Sequence, residues 1–258
     1  MDDVWAHGDA YERFMGRWSR RVAPAFLDWL DPAPALRWAD VGCGSGALTD
    51  AVLQQASPTT VLAVDPSSAQ VAEAVRRVRD PRVSFGVATA SGLPARSFDV
   101  VVSGLVLNFM PDPVAGVTSM ARAAVGGTVA AYVWDYDEGM QLLRTFWDVA
   151  VELDPAAAAL DEGHRFHLPS TDALEELWLG SGLREVTSTG ILVPTVFADF
   201  DDYWSPFLGG QGPAPGYVAS LDDAAREELR RALQDRLQAT PEGEIHLSAR
   251  AWAVRGVS

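Results

Sequence analysis

Leu36-Arg37-Trp38-Ala39-Asp40-Val41-Gly42-Cys43-Gly44-Ser45-Gly46-Ala47-Leu48-Thr49-Asp50-Ala51-Val52-Leu53 is the stretch that decides the fold. Its first six residues alternate apolar and polar side chains as a strand does, and from Ala47 the apolar residues recur at helical spacing. Gly42, Gly44 and Gly46 lie between the two patterns, where the chain must turn sharply and a ligand can approach the backbone without a Cβ in the way. A strand, a glycine turn and a helix in this order read as a nucleotide-binding turn.

Two ligand classes compete for such a turn. Gly42-Cys43-Gly44-Ser45-Gly46-Ala47 satisfies the loose dinucleotide pattern, and Asp65 follows where a ribose-binding carboxylate is expected. Asp40 separates the classes: a carboxylate at the mouth of the turn repels the pyrophosphate of NAD and attracts a ligand that carries an ammonium and a sulfonium, which is S-adenosylmethionine.

Outward from the turn, strands are expected near 60–65, 83–87, 98–103 and 128–134, with helices near 46–56, 67–79 and 112–124. The alternation predicts an α/β, Rossmann-like, doubly wound and mostly parallel sheet with ligands at the carboxyl ends of its strands. Residues 1–35 read as an N-terminal helical cap in which Tyr11, Phe14, Met15, Trp18, Val22, Phe26, Leu27 and Leu30 recur at helical spacing before Pro32 and Pro34. After Trp134 a helical insert is expected over 136–168, a capped helix over 170–182, and strands over 185–197 and 244–254. Residues 198–242 combine aromatics, the Gly209-Gly210-Gln211-Gly212-Pro213 loop and an arginine-rich amphipathic helix, a composition that suits a lid. The chain thus reads as one domain, 1–258, with a cofactor core at 36–135 and insertions at 136–168 and 198–242.

Composition narrows the chemistry. The chain has 258 residues, 48% of them hydrophobic, enough for a substantial core. A formal charge of −15 argues against nucleic acid or an anionic membrane as partner. No apolar run is long enough to span a bilayer and the start is acidic, so the expected location is the cytoplasm. All 20 basic residues are arginine, which excludes Schiff-base lysines and the lysine phosphate loop. Cys43 is the single cysteine, so no internal disulfide or cysteine-based zinc cluster can form. His164 and His167 are spaced as a minimal metal pair but lack a third ligand at a diagnostic spacing, and no metal is expected.

Asp40 to Gly46 resembles the first motif of class I S-adenosylmethionine-dependent methyltransferases, and later segments follow that family's order. Ala63-Val64-Asp65-Pro66-Ser67 resembles its second motif, Ala88-Thr89-Ala90-Ser91-Gly92-Leu93-Pro94 its adenine-contacting loop, and Phe98 to Pro113 its fourth strand and following loop. The resemblance covers roughly residues 10–135 and is nearest to methyltransferases of quinone and natural-product biosynthesis. It implies a seven-stranded sheet whose last strand is antiparallel, S-adenosylmethionine as cofactor and S-adenosylhomocysteine as product. Asp65 would hold the ribose hydroxyls, and Pro66, Thr89, Ala90, Ser103 and Gly104 would border the cofactor. Asp40, Gly42, Cys43, Gly44 and Gly46 would form its turn, with Tyr11 and Trp18 closing over the methionine end. Thr89 departs from the family, which usually has an acid there for the adenine amino group.

Methyl transfer from a sulfonium asks the protein to align the acceptor, exclude water and, where needed, take a proton. His167, Tyr136 and Asn108 are the candidates for orienting the acceptor or removing its proton. Trp134, Phe146, Trp204 and Phe207 are the candidates for an apolar acceptor pocket. The expected acceptor is a small, largely apolar molecule, methylated at oxygen, carbon or nitrogen, and the chain is expected to act as a monomer or homodimer. A protein that keeps this fold for other chemistry or for ligand sensing is the first alternative, and an NAD-dependent oxidoreductase the second.

Overall fold

In the computed structural model the described residues are 16–124, 126–161, 163, 168, 170–209 and 212–258. Seven strands form one sheet: β1 (Arg37–Val41), β2 (Thr60–Asp65), β3 (Val83–Val87), β4 (Val100–Gly104), β5 (Thr128–Trp134), β6 (Arg184–Phe197) and β7 (Ile245–Val257). Their order is β3-β2-β1-β4-β5-β7-β6. β1 to β5 pair in parallel, and β7 runs antiparallel. The order reverses beside β1, where β2 and β4 flank it, so the carboxyl ends of these three strands form the crevice in which such sheets bind ligands. The central strands are continuous apolar runs because both faces are covered: Val100, Val101 and Val102 of β4 and Val129 to Trp134 of β5 are all buried.

Nine α-helices are described: α1 (Arg17–Leu30), α2 (Ala47–Gln55), α3 (Ser68–Arg77), α4 (Pro113–Ala123), α5 (Gln141–Leu153), α6 (Thr171–Gly180), α7 (Phe200–Trp204), α8 (Pro213–Ser220) and α9 (Asp223–Arg236). Several start on a capping side chain. Ser67 accepts from Gln70 N, Asp112 from Ala115 N, Ser170 from Ala173 N and Asp222 from Ala225 N, each satisfying one otherwise unpaired amide. α2 differs, because its cap is Gly46 in left-handed backbone with no side-chain bond. No side chain of the cap residue therefore takes up its first amides.

The chain divides into two compact units. One comprises 19–133, 170–191 and 251–258 and carries β1 to β4 with α2, α3, α4 and α6. In it Phe26 packs on Tyr132, ring centroids 4.8 Å apart, and the Trp178 indole donates to Val129 O at 3.1 Å. The other comprises 1–18, 134–169 and 192–250. Here Phe146 stacks on Phe207 at 4.5 Å and meets Trp147 edge-on at 5.0 Å, while the Tyr203 hydroxyl donates to Leu142 O at 3.1 Å. Arg144 pairs with the buried Asp161.

Several boundaries differ from the sequence pattern for local reasons. β4 starts at Val100 because Asp99 is taken up in a clamp on Arg37, accepting from its amide at 2.8 Å and its guanidinium at 2.8 and 3.0 Å. β7 continues to Val257, past the polar Arg255, whose guanidinium donates to Leu30 O and Thr187 Oγ1. The expected insert over 136–168 is helical at Gln141–Leu153 and continues as 3-10 helix over Pro155–Leu160. Between 198 and 242 the chain makes α7, a 3-10 segment, α8 and α9, the last being the expected arginine-rich helix, over Asp223–Arg236. No helix among the described residues is long and apolar enough to cross a membrane.

Candidate cofactor site

The site is built where β1, β2 and β4 end, within the larger parallel unit. Leaving β1, the chain turns back at once: Gly42 N and Cys43 N both donate to Val64 O, at 2.7 and 3.0 Å, and Gly46 N closes on Cys43 O at 2.8 Å. The turn needs left-handed backbone at three positions, with φ of 73° at Gly42, 52° at Gly44 and 92° at Gly46. Two of the glycines are required for different reasons. A Cβ on Gly42 would lie 2.6 Å from the Val106 side chain, whereas a Cβ on Gly44 would meet nothing within 4 Å. Gly42 is thus fixed by the protein's own packing, and Gly44 leaves an open space beside the backbone that a ligand can use.

Two carboxylates border this turn. Asp65, at the end of β2, accepts from Gly44 N at 3.0 Å and from Ser67 N at 2.8 Å, so it holds the glycine turn and the start of α3 together. A carboxylate has about four acceptor positions, and two are used, which leaves capacity for the hydroxyls of a ribose. Asp40, only 1% exposed, accepts from the Thr49 hydroxyl through Oδ2 at 2.6 Å, while its buried Oδ1 has no hydrogen-bond partner. Burial pushes its carboxyl up to about 7, against the Thr49 bond and with the Asp65 charge adding to the rise. A buried acceptor without a donor costs on the order of 1–3 kcal/mol. A ligand ammonium is the kind of group that removes this cost, so the donor set fits S-adenosylmethionine. Cys43 lies buried beside them, and burial with the Asp40 and Asp65 charges pushes its thiol up, so it is an inert small residue of the turn.

Ser103 and Gly104 end β4 at the same place. The Ser103 hydroxyl is wholly buried and donates to Val41 O at 2.9 Å, fixing the end of β1. Gly104 is kept small by Tyr132, whose hydroxyl would lie 2.7 Å from a Cβ there. Next, Leu105 takes left-handed backbone, φ 63°, and donates to Tyr132 O. Asn108 follows on the 3-10 turn Leu107–Phe109, its Oδ1 buried without a partner. Pro66 is exposed, Ala90 is buried, and the exposed Thr89 shares a hydrogen bond with Ser91 Oγ at 2.9 Å.

The remaining candidates belong to the other unit or lie outside the described residues. Trp18 meets Phe197 edge-on at 5.3 Å. Trp134, Phe146, Trp204 and Phe207 are all buried, and Trp134 Nε1 has no hydrogen-bond partner. Tyr136 is buried close after β5. Its neighbour Asp135 caps the amides of Asp137 and Glu138 and pairs with Arg250. Tyr11, His164 and His167 lie outside the described residues. Among the described residues no group of three or more histidine, cysteine or acidic side chains is placed to hold a metal ion. The sequence reading missed Thr49 and Val106. Thr49 sits in the first turn of α2, and the helical phase that turns it back toward Asp40 is the signal that could have found it.

Residues 39–131 match the family model described as a methyltransferase domain. The chain is 35% identical to nocamycin O-methyltransferase of Saccharothrix syringae over 109 residues, which span 40% of this chain and 39% of that enzyme. It is 26% identical to trans-aconitate 2-methyltransferase of Streptomyces avermitilis over 250 residues, 90% of this chain and 91% of that one. Its fold matches a phosphoethanolamine N-methyltransferase of Haemonchus contortus, solved with phosphomonomethylethanolamine and S-adenosylhomocysteine, with a TM-score of 0.60 and 18% identity over 97% of this chain and 56% of that one. Residues 39–131 are thus a methyltransferase domain, and the sheet order, glycine turn and carboxylate pair support a class I fold with S-adenosylmethionine as cofactor.

Proposed function

We propose that the chain methylates a small, largely apolar molecule. The observation that carries this reading is the aromatic content of the unit not occupied by the glycine turn: Trp134, Phe146, Trp147, Tyr203, Trp204, Phe207 and Tyr217 are all buried there. Aromatic side chains of this kind line pockets for flat or apolar acceptors. The names of the relatives support the small size of the acceptor, since nocamycin and trans-aconitate are both small molecules, though trans-aconitate is a polar tricarboxylate. The charge of −15 disfavours a nucleic-acid acceptor.

When bound, S-adenosylmethionine supplies an electrophilic methyl group on a sulfonium. The chain's own residues then have three tasks. Asp65 binds the ribose hydroxyls and Asp40 the ammonium. Asn108 orients the acceptor, since its buried Oδ1 lacks a donor and would accept from an acceptor hydroxyl or amine. His167, Tyr136 and Asn108 are the residues to test for proton removal, and alignment supplies most of the acceleration.

The test is a panel of phenolic, quinol, polyketide and carboxylic acceptors scored for S-adenosylhomocysteine release. With the acceptor found, Trp204→Ala is expected to lower its turnover at least tenfold while cofactor affinity changes less than about twofold. Loss of cofactor affinity, with acceptor kinetics intact at saturating cofactor, would move Trp204 out of the acceptor pocket.

A further inference from the structure

Beneath the glycine turn, Thr49 is bonded to Asp40 and has no role in the reaction as described. Both residues are buried, one on α2 and one on β1, and they are joined by the 2.6 Å bond from Thr49 Oγ1 to Asp40 Oδ2. This bond fixes the carboxyl plane and leaves Oδ1 as the one oxygen without a donor. Among the described residues, the groups facing Asp40 offer no compensating positive charge. Its register partners are Ala63 on β2 and Val102 on β4, the charged neighbour is Asp65 on β2, and the turn contributes the thiol of Cys43.

We infer that Thr49 is a positioning residue that makes cofactor binding proton-linked: it holds Asp40 so that the ligand's ammonium takes the place of a proton on the free carboxyl oxygen. The inference rests on Asp40 being the ammonium site. Its physical basis is that a buried carboxyl with acidic neighbours keeps its proton near neutrality, consistent with its rise to about 7. A cation placed on Oδ1 reverses that preference and the proton leaves to solvent. Binding is then weakened by acid: affinity should be about tenfold lower at pH 6 than at pH 8, with about half a proton released per ligand at pH 7. Without the Thr49 hydroxyl the charged carboxylate loses its side-chain hydrogen bond and keeps only the weaker one from the Thr49 backbone, so the transition moves to higher pH.

The experiment is calorimetry of the full chain with two ligands, S-adenosylhomocysteine and 5′-methylthioadenosine, which lacks the ammonium and carboxylate. Titrations at pH 6, 7 and 8 in buffers of different ionisation enthalpy count the protons. Proton release and acid weakening are expected for the first ligand and not for the second, and both effects should vanish in Asp40→Asn. Thr49→Val should bind S-adenosylhomocysteine more weakly at pH 7, with the loss recovered by pH 9, and Thr49→Ser should restore the parent profile. A purely structural role for Thr49 would instead lower affinity equally at every pH and overturn the inference. Saturable binding of both ligands with equal proton counts overturns the linkage but leaves the cofactor site standing. Failure of S-adenosylhomocysteine to bind would overturn the site assignment and the inference together.

Discussion

The cofactor turn and the aromatic unit treat polar atoms and backbone in opposite ways. In the turn, three glycines hold left-handed backbone and Asp40 keeps a buried oxygen without a donor. Ser103 and Thr49, the neutral polar residues nearby, are spent on holding Val41 and Asp40. Across 134–169 and 192–250 most of the named side chains pair with one another: Phe146 on Phe207, the Tyr203 hydroxyl on Leu142 O, and Arg250 on Asp135. The first region gives up stability to keep atoms ready for a fixed ligand; the second places its aromatic surface in packing. Substitutions should therefore divide by readout, the turn through ligand affinity and the fully buried rings such as Phe146 through stability.

The largest effect expected is on the aromatic side. Phe146 is wholly buried against Phe207, Trp147 and Tyr217. Phe146→Ala should cost about 3–5 kcal/mol of stability, read as a lowered denaturation midpoint with the slope unchanged. If it instead leaves stability within about 1 kcal/mol and abolishes acceptor turnover, the ring belongs to the pocket and the contrast between the regions fails.

Next comes Asp65→Ala. A hydrogen bond to a charged group contributes roughly 1.5–3 kcal/mol, so S-adenosylmethionine should bind about 10- to 150-fold more weakly in a variant that remains folded. Because Asp65 also accepts from Gly44 N and Ser67 N, part of the loss comes through a looser turn. Unchanged affinity by calorimetry would remove Asp65 from the site.

How much of this was readable follows from the range over which each interaction acts. Residues 36–53 carry the strand, the turn and the helix in one uninterrupted run, so the turn and its ligand class could be read directly. β4 and β5 are legible as apolar runs, whereas β1 is marked by the alternation of apolar and polar residues before the glycine turn. By contrast, Asp31, Ala35 and Glu185 take left-handed backbone with no glycine to announce it. Likewise, the pairing of Phe146 with Phe207 joins segments far apart in the chain, and an aromatic stripe reads the same whether it packs on itself or on a ligand. The Thr49–Asp40 bond was missed because it depends on the phase of α2 after the turn, which spacing alone does not fix.

Asp40→Asn tests the cost of keeping the turn ready. The Asp40 carboxyl, ordinarily near 3.8, is pushed up to about 7 by burial in the folded chain. Folding therefore takes up a proton between those values. The ligand-free protein is favoured by this site below about pH 4, loses that contribution as pH rises, and has lost it above about pH 7. The amide carries no charge to desolvate and can still accept from Thr49. Asp40→Asn should thus melt higher than the parent at pH 8, with the difference closing toward pH 4, while it binds S-adenosylhomocysteine more weakly. A variant less stable at pH 8 than the parent would show that the charged carboxylate is satisfied in the fold and that the turn carries no such cost.

The smallest expected effect concerns Thr89, where this chain departs from the acid usual in its family. Thr89 is exposed, precedes the 3-10 segment Ala90–Gly92, and shares its hydroxyl with Ser91 at 2.9 Å. A carboxylate here accepts more strongly than a hydroxyl from an adenine amino group. It could also be captured locally by the Ser91 hydroxyl or by the amides of the short segment it precedes. These two uses compete, which limits the gain: Thr89→Asp should bind S-adenosylmethionine between equally and about tenfold more tightly than the parent. Because the position is exposed and already precedes a helical turn, the melting temperature should hardly move. Pairing the substitution with Ser91→Ala removes one local competitor and should increase any gain. Weaker cofactor binding in both folded variants would mean that residue 89 does not face adenine, and that the turn and the 90–92 segment do not serve one ligand.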